Sequence, residues 1–141
     1  MKSRVYSITI NGQRWGYQLV PMEKMRQMVP DSPNAVGLTE YTKRRLFFIG
    51  EHLTFGTVFH ELFHAYCHYL YLNSAEIQRD QFEEIVAEML EEKVLTMLEQ
   101  SRRILEKLAG VIDAQDAKGM AEGSPRASRR KGVVRDDKDA P

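Results

Sequence analysis

Residues 54–72 restrict the possible folds of this 141-residue chain more than any other segment. The segment contains no proline, and its apolar side chains recur at the spacing of an α-helix over a broad face. These side chains are Phe55, Val58, Phe59, Leu62, Phe63, Tyr66, Tyr69 and Leu70. Because so wide an apolar face must be covered by the rest of the chain, the pattern predicts a mostly buried helix.

Two histidines, His60 and His64, stand within this segment, and Glu61 follows the first of them to form the HExxH pattern. Residues four apart lie one turn apart on the same helix face, so both imidazoles can bind one tetrahedral zinc ion. Glu61 is rotated from His60 by about 100°, and its carboxylate can act as general base on a water bound to that ion. The pattern predicts a catalytic zinc site, and Cys67 as the only cysteine excludes a Cys-rich zinc cluster.

A catalytic zinc usually takes three protein ligands, so a third ligand is expected elsewhere in the chain. His68 is unsuitable, because it lies about 12 Å from His60 along one helix axis. Several glutamates follow in a second predicted helix, and Glu84 and Glu88 share one row of its surface between apolar residues. We expect this pair of carboxylates to point inward.

Four segments before the histidines have the composition of short strands. Asn11-Gly12 separates the first two segments and tolerates the positive φ of a two-residue hairpin turn. The other two segments turn near Thr42-Lys43, and residues 22–28 have the spacing of a short helix between the hairpins. The predicted strands are residues 5–10, 13–20, 36–41 and 44–49.

A second long helix is predicted after the histidine-containing one. Asn73 and Glu76 have the spacing of a capping box, and apolar residues then recur at helical intervals from Ile77 toward Leu108. Beyond Gln100 the pattern leaves open whether the last turns form a separate or a protruding helix. The predicted fold class is α+β, with a short, mostly antiparallel sheet packed on the histidine-containing helix and followed by the long second helix.

The segment from about residue 37 to residue 90 contains a predicted hairpin, TVFHELFHAY and EEIVAEML, and it resembles the core of the gluzincin branch of zincin metallopeptidases. The resemblance implies a small zincin-like fold with His60, His64 and Glu84 as zinc ligands and Glu61 as general base. It also implies that Glu88 hydrogen-bonds a zinc-binding histidine and fixes its tautomer. The implied activity is zinc-dependent hydrolysis of peptide bonds, as an endopeptidase acting on a protein or peptide substrate.

The resemblance extends to the substrate strand and to a smaller group of enzymes. In zincins an edge strand beside the active helix pairs with the extended substrate, and residues 36–41 are the candidate here. The chain is similar in size to small cytoplasmic zincins of the ImmA/IrrE type, which are common near phage and mobile-element regulators. Phe63 stands where many of those proteins carry glycine. No individual substrate-binding or oxyanion-stabilising residue is predicted.

The chain divides by composition into a domain and a tail. Residues 113–141 contain no aromatic side chain and are rich in charged and small residues, so we expect a disordered charged tail after a single domain over residues 1–112. Twenty basic and twenty acidic residues balance, so nucleic acid is not expected as the main partner. A solvated tail is favoured over a phosphate-binding arm at its short basic run, Arg126, Arg129, Arg130 and Lys131.

The sequence shows no pattern for a membrane span or for secretion. No apolar run approaches the roughly 18 residues of a membrane span, and the first residues lack a signal-peptide pattern. We therefore expect a cytoplasmic protein without a membrane partner.

The alternative to the enzyme is a non-catalytic protein of the same fold, with structural zinc, that binds a partner such as a repressor or a toxin. Its basis is the small size of the domain and the Leu/Met surface beyond Gln100.

Overall fold

The computed structural model describes residues 4–69 and 79–122. Residues 123–141 and the predicted cap at Asn73 and Glu76 lie outside this part of the chain. A 3₁₀ turn at Gly50–His52 precedes the second helix. In chain order the strands and α-helices are β1 (Tyr6–Ile10), β2 (Gln13–Leu19), α1 (Met22–Met28), β3 (Gly37–Glu40), β4 (Arg45–Phe48), α2 (Phe55–Tyr69) and α3 (Arg79–Glu122).

The four strands form one mixed sheet in the order β1-β2-β4-β3. The two hairpin pairs, β1 with β2 and β3 with β4, are antiparallel, whereas β2 and β4 pair in parallel. The α+β class and the mostly antiparallel sheet are therefore confirmed. The parallel pairing joins the two predicted hairpins and leaves β3 at one edge of the sheet.

The first hairpin turns where the sequence predicts it. Asn11 has φ of +47° and Gly12 has φ of +74°, so both turn residues occupy the left-handed region. Two consecutive positive φ values define the type I′ turn, whose twist matches that of the flanking strands. The register pairs Ile10 with Gln13 directly across the turn.

The sheet has helices on both faces. Leu46 and Phe47 are consecutive in β4 and therefore point to opposite faces. Leu46 belongs to the larger buried cluster, which contains Leu62 of α2 and Met97 of α3. Phe47 belongs to a smaller cluster with Met25 of α1. The histidine-containing helix is thus packed on the sheet, as expected, and α3 shares the same core.

Helix α3 is a single helix of 44 residues that runs antiparallel to α2. The Cys67 thiol at the end of α2 contacts Met89 near the start of α3, with 3.7 Å between the two sulfurs. Gly50, just before α2, lies beside Ile112 far along α3. The helix continues without a break beyond Gln100 to Glu122.

The end of α3 corrects the predicted start of the disordered tail. Helix α3 continues through Glu122, so residues 113–122 are helical rather than disordered. This segment, DAQDAKGMAE, contains no proline that would end the helix, and its residues 113–120 are exposed. Within the described ranges no helix combines the length and the apolar character needed to cross a membrane.

Candidate active site

The N-terminus of helix α2 is capped by a side chain, and one face of the helix is buried. The amide of Thr57 donates to Thr54 Oγ1 at 3.1 Å, which satisfies one of the free amides at the start of the helix. Val58 and Leu62 are fully buried on the side that faces the sheet. His60 and His64 lie on the opposite side and are exposed. The helix therefore presents the histidine pair to solvent while its other side is buried in the core.

The two histidines direct their Nε2 atoms toward each other. The Nε2 atoms of His60 and His64 are 3.1 Å apart, and the rings meet nearly edge to face, at 78°. Two imidazoles bound to one tetrahedral zinc at about 2.0–2.1 Å place their nitrogens roughly 3.3 Å apart. The pair thus fits two corners of a zinc site.

Glu61 occupies a slot between α2 and β3. Its side chain is buried, and the Thr39 hydroxyl lies 2.6 Å from Oε2 as the hydrogen-bond donor. The same hydroxyl is 2.9 Å from the main-chain oxygen of Glu61. A Cβ added at Gly37 would lie 2.7 Å from both Cγ and Oε1 of Glu61. Sequence reasoning missed Thr39 and Gly37, and only their i, i+2 spacing on one strand face signals that they act together.

Tyr41 and His68 form a second contact between the β3 hairpin and α2. Their rings stack with centroids 4.6 Å apart and planes 18° apart. Burial raises the pKa of Tyr41, and nearby Glu61 and Cys67 raise that pKa further. Tyr41 therefore keeps its phenolic proton through the neutral range and lies within electrostatic range of the candidate general base.

Among the strands that the structure describes, β3 lies at the edge of the sheet, and its outer side, called its free edge, has no strand partner. The Ile49 amide donates to the Val36 carbonyl at 3.1 Å, which makes 36 and 49 a hydrogen-bonded pair of the ladder. Alternate residues of an antiparallel strand turn their main-chain groups away from the partner, so the amides and carbonyls of Gly37 and Thr39 face the free edge. A cleft of about 580 Å³ beside β3 is lined by Met28, Leu38, Thr39, Glu40, Tyr41, Thr42 and Lys43.

The glutamates predicted on the second helix do not point inward. Glu84 and Glu88 are exposed, and Leu95, one of the apolar residues expected to bracket them, is 77% exposed. The expectation of an inward row is wrong because α3 packs through a different stripe. The buried residues of that stripe are Met89, Met97, Ser101, Ile104 and Leu108.

The position of Glu84 along α3 also separates it from the histidines. Met89 contacts Cys67 at the end of α2, and Glu84 lies five residues earlier, about 7.5 Å further along the α3 axis and away from His64. Among the residues that the structure describes, no three His, Cys, Asp or Glu side chains are grouped closely enough to hold a metal ion. The structure brings together His60 and His64, with Glu61 beside them, and the role of Glu84 stays a prediction.

Comparisons with known proteins identify no relative. A scan against protein-family models, a search of curated proteins and a search of solved structures each found no match. The site is therefore interpreted from the geometry of this chain, namely a converging histidine pair, a buried carboxylate next to it and a free strand edge alongside.

Proposed function

We propose that this protein is a zinc-dependent metallopeptidase that hydrolyses peptide bonds. His60 and His64 are the proposed zinc ligands, and Glu61 is the proposed general base. The observation that carries the proposal is the 3.1 Å separation of the two Nε2 atoms, because it suits one tetrahedral ion. Glu84 is the proposed third ligand and Glu88 the proposed partner of a histidine. Both of these roles rest on the resemblance of the EEIVAEML segment to gluzincin metallopeptidases. Both also require the start of α3 to approach the histidines.

The chemistry follows from the roles of the side chains. Zinc, when bound, polarises the scissile carbonyl and promotes ionisation of a water molecule. Glu61 accepts the proton of the attacking water and passes it to the leaving amine. Glu61 directly follows His60 in α2, and Thr39 of β3 holds its carboxylate in place.

The free edge of β3 supports an extended peptide as substrate. A peptide strand that pairs with the outward main-chain groups of Gly37 and Thr39 gains backbone hydrogen bonds without a requirement for particular side chains. Because Thr39 contacts Glu61, such a strand passes directly beside the proposed general base. The cleft next to Leu38 and Met28 then receives side chains on the other side of the strand.

Metal analysis of the purified protein tests the proposal. We expect one zinc per chain in the wild type and a clear loss of zinc in His60→Ala. His52→Ala is the matched control, because His52 is also an exposed histidine and lies outside the pair. Glu84→Ala is expected to weaken zinc binding, whereas Glu61→Gln is expected to keep zinc and lose peptidase activity. A wild-type protein without stoichiometric zinc contradicts the proposal.

A second candidate function is a non-catalytic protein of this fold that binds another protein. It is favoured by exposed apolar side chains on α3, since Leu90 is 48%, Leu95 77% and Leu98 39% exposed. Under this alternative Glu61→Gln retains the cellular function of the protein, and Leu95→Glu loses it. The peptidase proposal expects the opposite result for both variants.

A further inference from the structure

We propose that β3 positions the general base: Thr39 and Gly37 together hold the Glu61 carboxylate in the orientation needed for proton transfer. This inference rests on the proposed peptidase function and adds two positioning residues to it. Neither residue is proposed to touch the metal or to exchange a proton with the substrate.

The Thr39 hydroxyl contacts two oxygens of Glu61 and shares its single proton between them. This hydroxyl lies 2.6 Å from Oε2 and 2.9 Å from the main-chain oxygen of the same glutamate. Contact with both ends of the residue restricts the rotation of the side chain between them. Thr39 and Glu61 are 9% and 7% exposed, so little water is available to replace this hydrogen bond. A lost hydroxyl therefore leaves a buried carboxylate oxygen without its partner.

Gly37 supplies the space for the other carboxylate oxygen. A methyl group at this position would lie 2.7 Å from Oε1, closer than carbon atoms normally approach oxygen. The backbone of Gly37 does not have the positive φ that would itself require glycine, because Gly12 is the only positive-φ glycine in the described part of the chain. A side chain at position 37 would therefore collide with the Glu61 side chain. Substitution by alanine forces the carboxylate to move.

The two positioning residues also belong to the free edge. Gly37 and Thr39 are two residues apart in β3, so both lie on the strand face toward α2. The same two residues also turn their main-chain amides and carbonyls toward the free edge. The strand that offers hydrogen bonds to a peptide is therefore the strand that aligns the base. A misplacement of about 1 Å in a catalytic group can cost roughly 100-fold in rate.

Kinetics on fluorescently labelled casein test the inference in the full-length zinc-loaded protein. We expect Thr39→Val and Gly37→Ala to lower kcat by about tenfold or more, with KM and zinc content within about twofold of wild type. Thr39→Ser keeps the hydroxyl and is expected to restore kcat to within about threefold of wild type. Gly56→Ala is the control, because its added methyl would have Thr54 Oγ1 as its nearest neighbour, at 3.8 Å. A Thr39→Val protein with wild-type kcat overturns the inference.

Crystal structures of the same variants provide a readout that does not depend on activity. We expect the Glu61 carboxylate to leave its slot in Thr39→Val and in Gly37→Ala and to stay in Thr39→Ser. If one variant fails to fold, the other decides the result. A wild type that binds zinc and cleaves neither casein nor a mixed peptide library contradicts the peptidase proposal, whereas the position of Glu61 in the variants tests the contact with β3 separately. An unmoved carboxylate in both Thr39→Val and Gly37→Ala overturns it.

Discussion

At the scale of single residues, Ser101 carries a hydroxyl group on the side of α3 that packs into the hydrophobic core. The residue is fully buried between Met97 and Ile104, and its Oγ has no hydrogen-bond partner in the described part of the chain. A buried polar group without a partner has lost its hydration without compensation. Ser101 therefore lowers the stability of the helix packing.

Replacement of Ser101 by alanine is expected to raise the free energy of unfolding by about 1 kcal/mol, since it removes the unpaired hydroxyl and improves helix propensity. Urea denaturation followed by circular dichroism measures the change. Ser7→Ala is the control, because the Ser7 hydroxyl is exposed and accepts a hydrogen bond from Arg14 at 3.3 Å. A Ser101→Ala variant less stable than wild type contradicts the interpretation of this site.

The buried thiol of Cys67 makes stability depend on alkaline pH. Burial raises the pKa of Cys67 from 9.0 to about 11. The unfolded chain therefore loses this proton at lower pH than the folded protein does. The contribution of the protonated thiol to stability is complete below about pH 9 and is lost as the pH rises toward 11.

We expect the urea midpoint of the wild type to fall between about pH 8 and pH 10.5, and to fall less steeply in Cys67→Val, which has no ionisable group at this position. Unfolding curves at several pH values measure both slopes. Burial also raises the pKa of Tyr17, Tyr41 and Tyr66, so a smaller alkaline decline remains in the variant. Equal slopes for the two proteins are inconsistent with this role of Cys67.

At the scale of elements, glycine has opposite effects on stability in the first hairpin and in α3. Gly12 has φ of +74°, which the turn between β1 and β2 needs. Gly110 lies in the interior of α3, where an added methyl meets nothing within 4 Å. Glycine permits the turn in the first case and weakens the helix in the second.

The same substitution is therefore expected to change stability in opposite directions. Gly110→Ala should stabilise the protein by roughly 0.5–1 kcal/mol through helix propensity. Gly12→Ala should destabilise it by roughly 1 kcal/mol, because alanine is strained at positive φ. Thermal unfolding of the two variants beside wild type measures both shifts, and a common sign would show that one of the two local arguments is wrong.

At the scale of the whole molecule, Gln100 joins three elements that are distant in sequence. Its side-chain oxygen accepts a hydrogen bond from the Tyr66 hydroxyl of α2 at 2.8 Å. Its amide nitrogen donates to the main-chain oxygen of Thr9 in β1, also at 2.8 Å. One residue of α3 thus holds the histidine-containing helix and the first hairpin in a fixed relation.

Gln100→Ala is expected to destabilise the protein by about 1 kcal/mol, since it removes two hydrogen bonds between distant elements. Hydrogen exchange should increase in β1 as well as near residue 100, because the contact with Thr9 is lost. Gln27→Ala, at an exposed position of α1, is the control and should change little. Unchanged exchange in β1 would contradict the coupling.

The sequence by itself determined the features that depend on neighbouring residues. Asn11-Gly12 specified the first turn, and the four-residue spacing of His60 and His64 placed both imidazoles on one face of α2. The turn signals at Asn11-Gly12 and near Thr42-Lys43 likewise located the four strands. These features follow from local geometry, which repeats every two or 3.6 residues.

Only the tertiary structure decided how these elements meet. The parallel pairing of β2 with β4 placed β3 at the sheet edge, and the contact of Thr39 with Glu61 joins residues 22 positions apart. The helical wheel of α3 located Glu84 and Glu88 in one row, but it did not specify which stripe faces the core. That choice depends on how well each stripe packs against α2 and the sheet, and packing is a property of distant residues brought together.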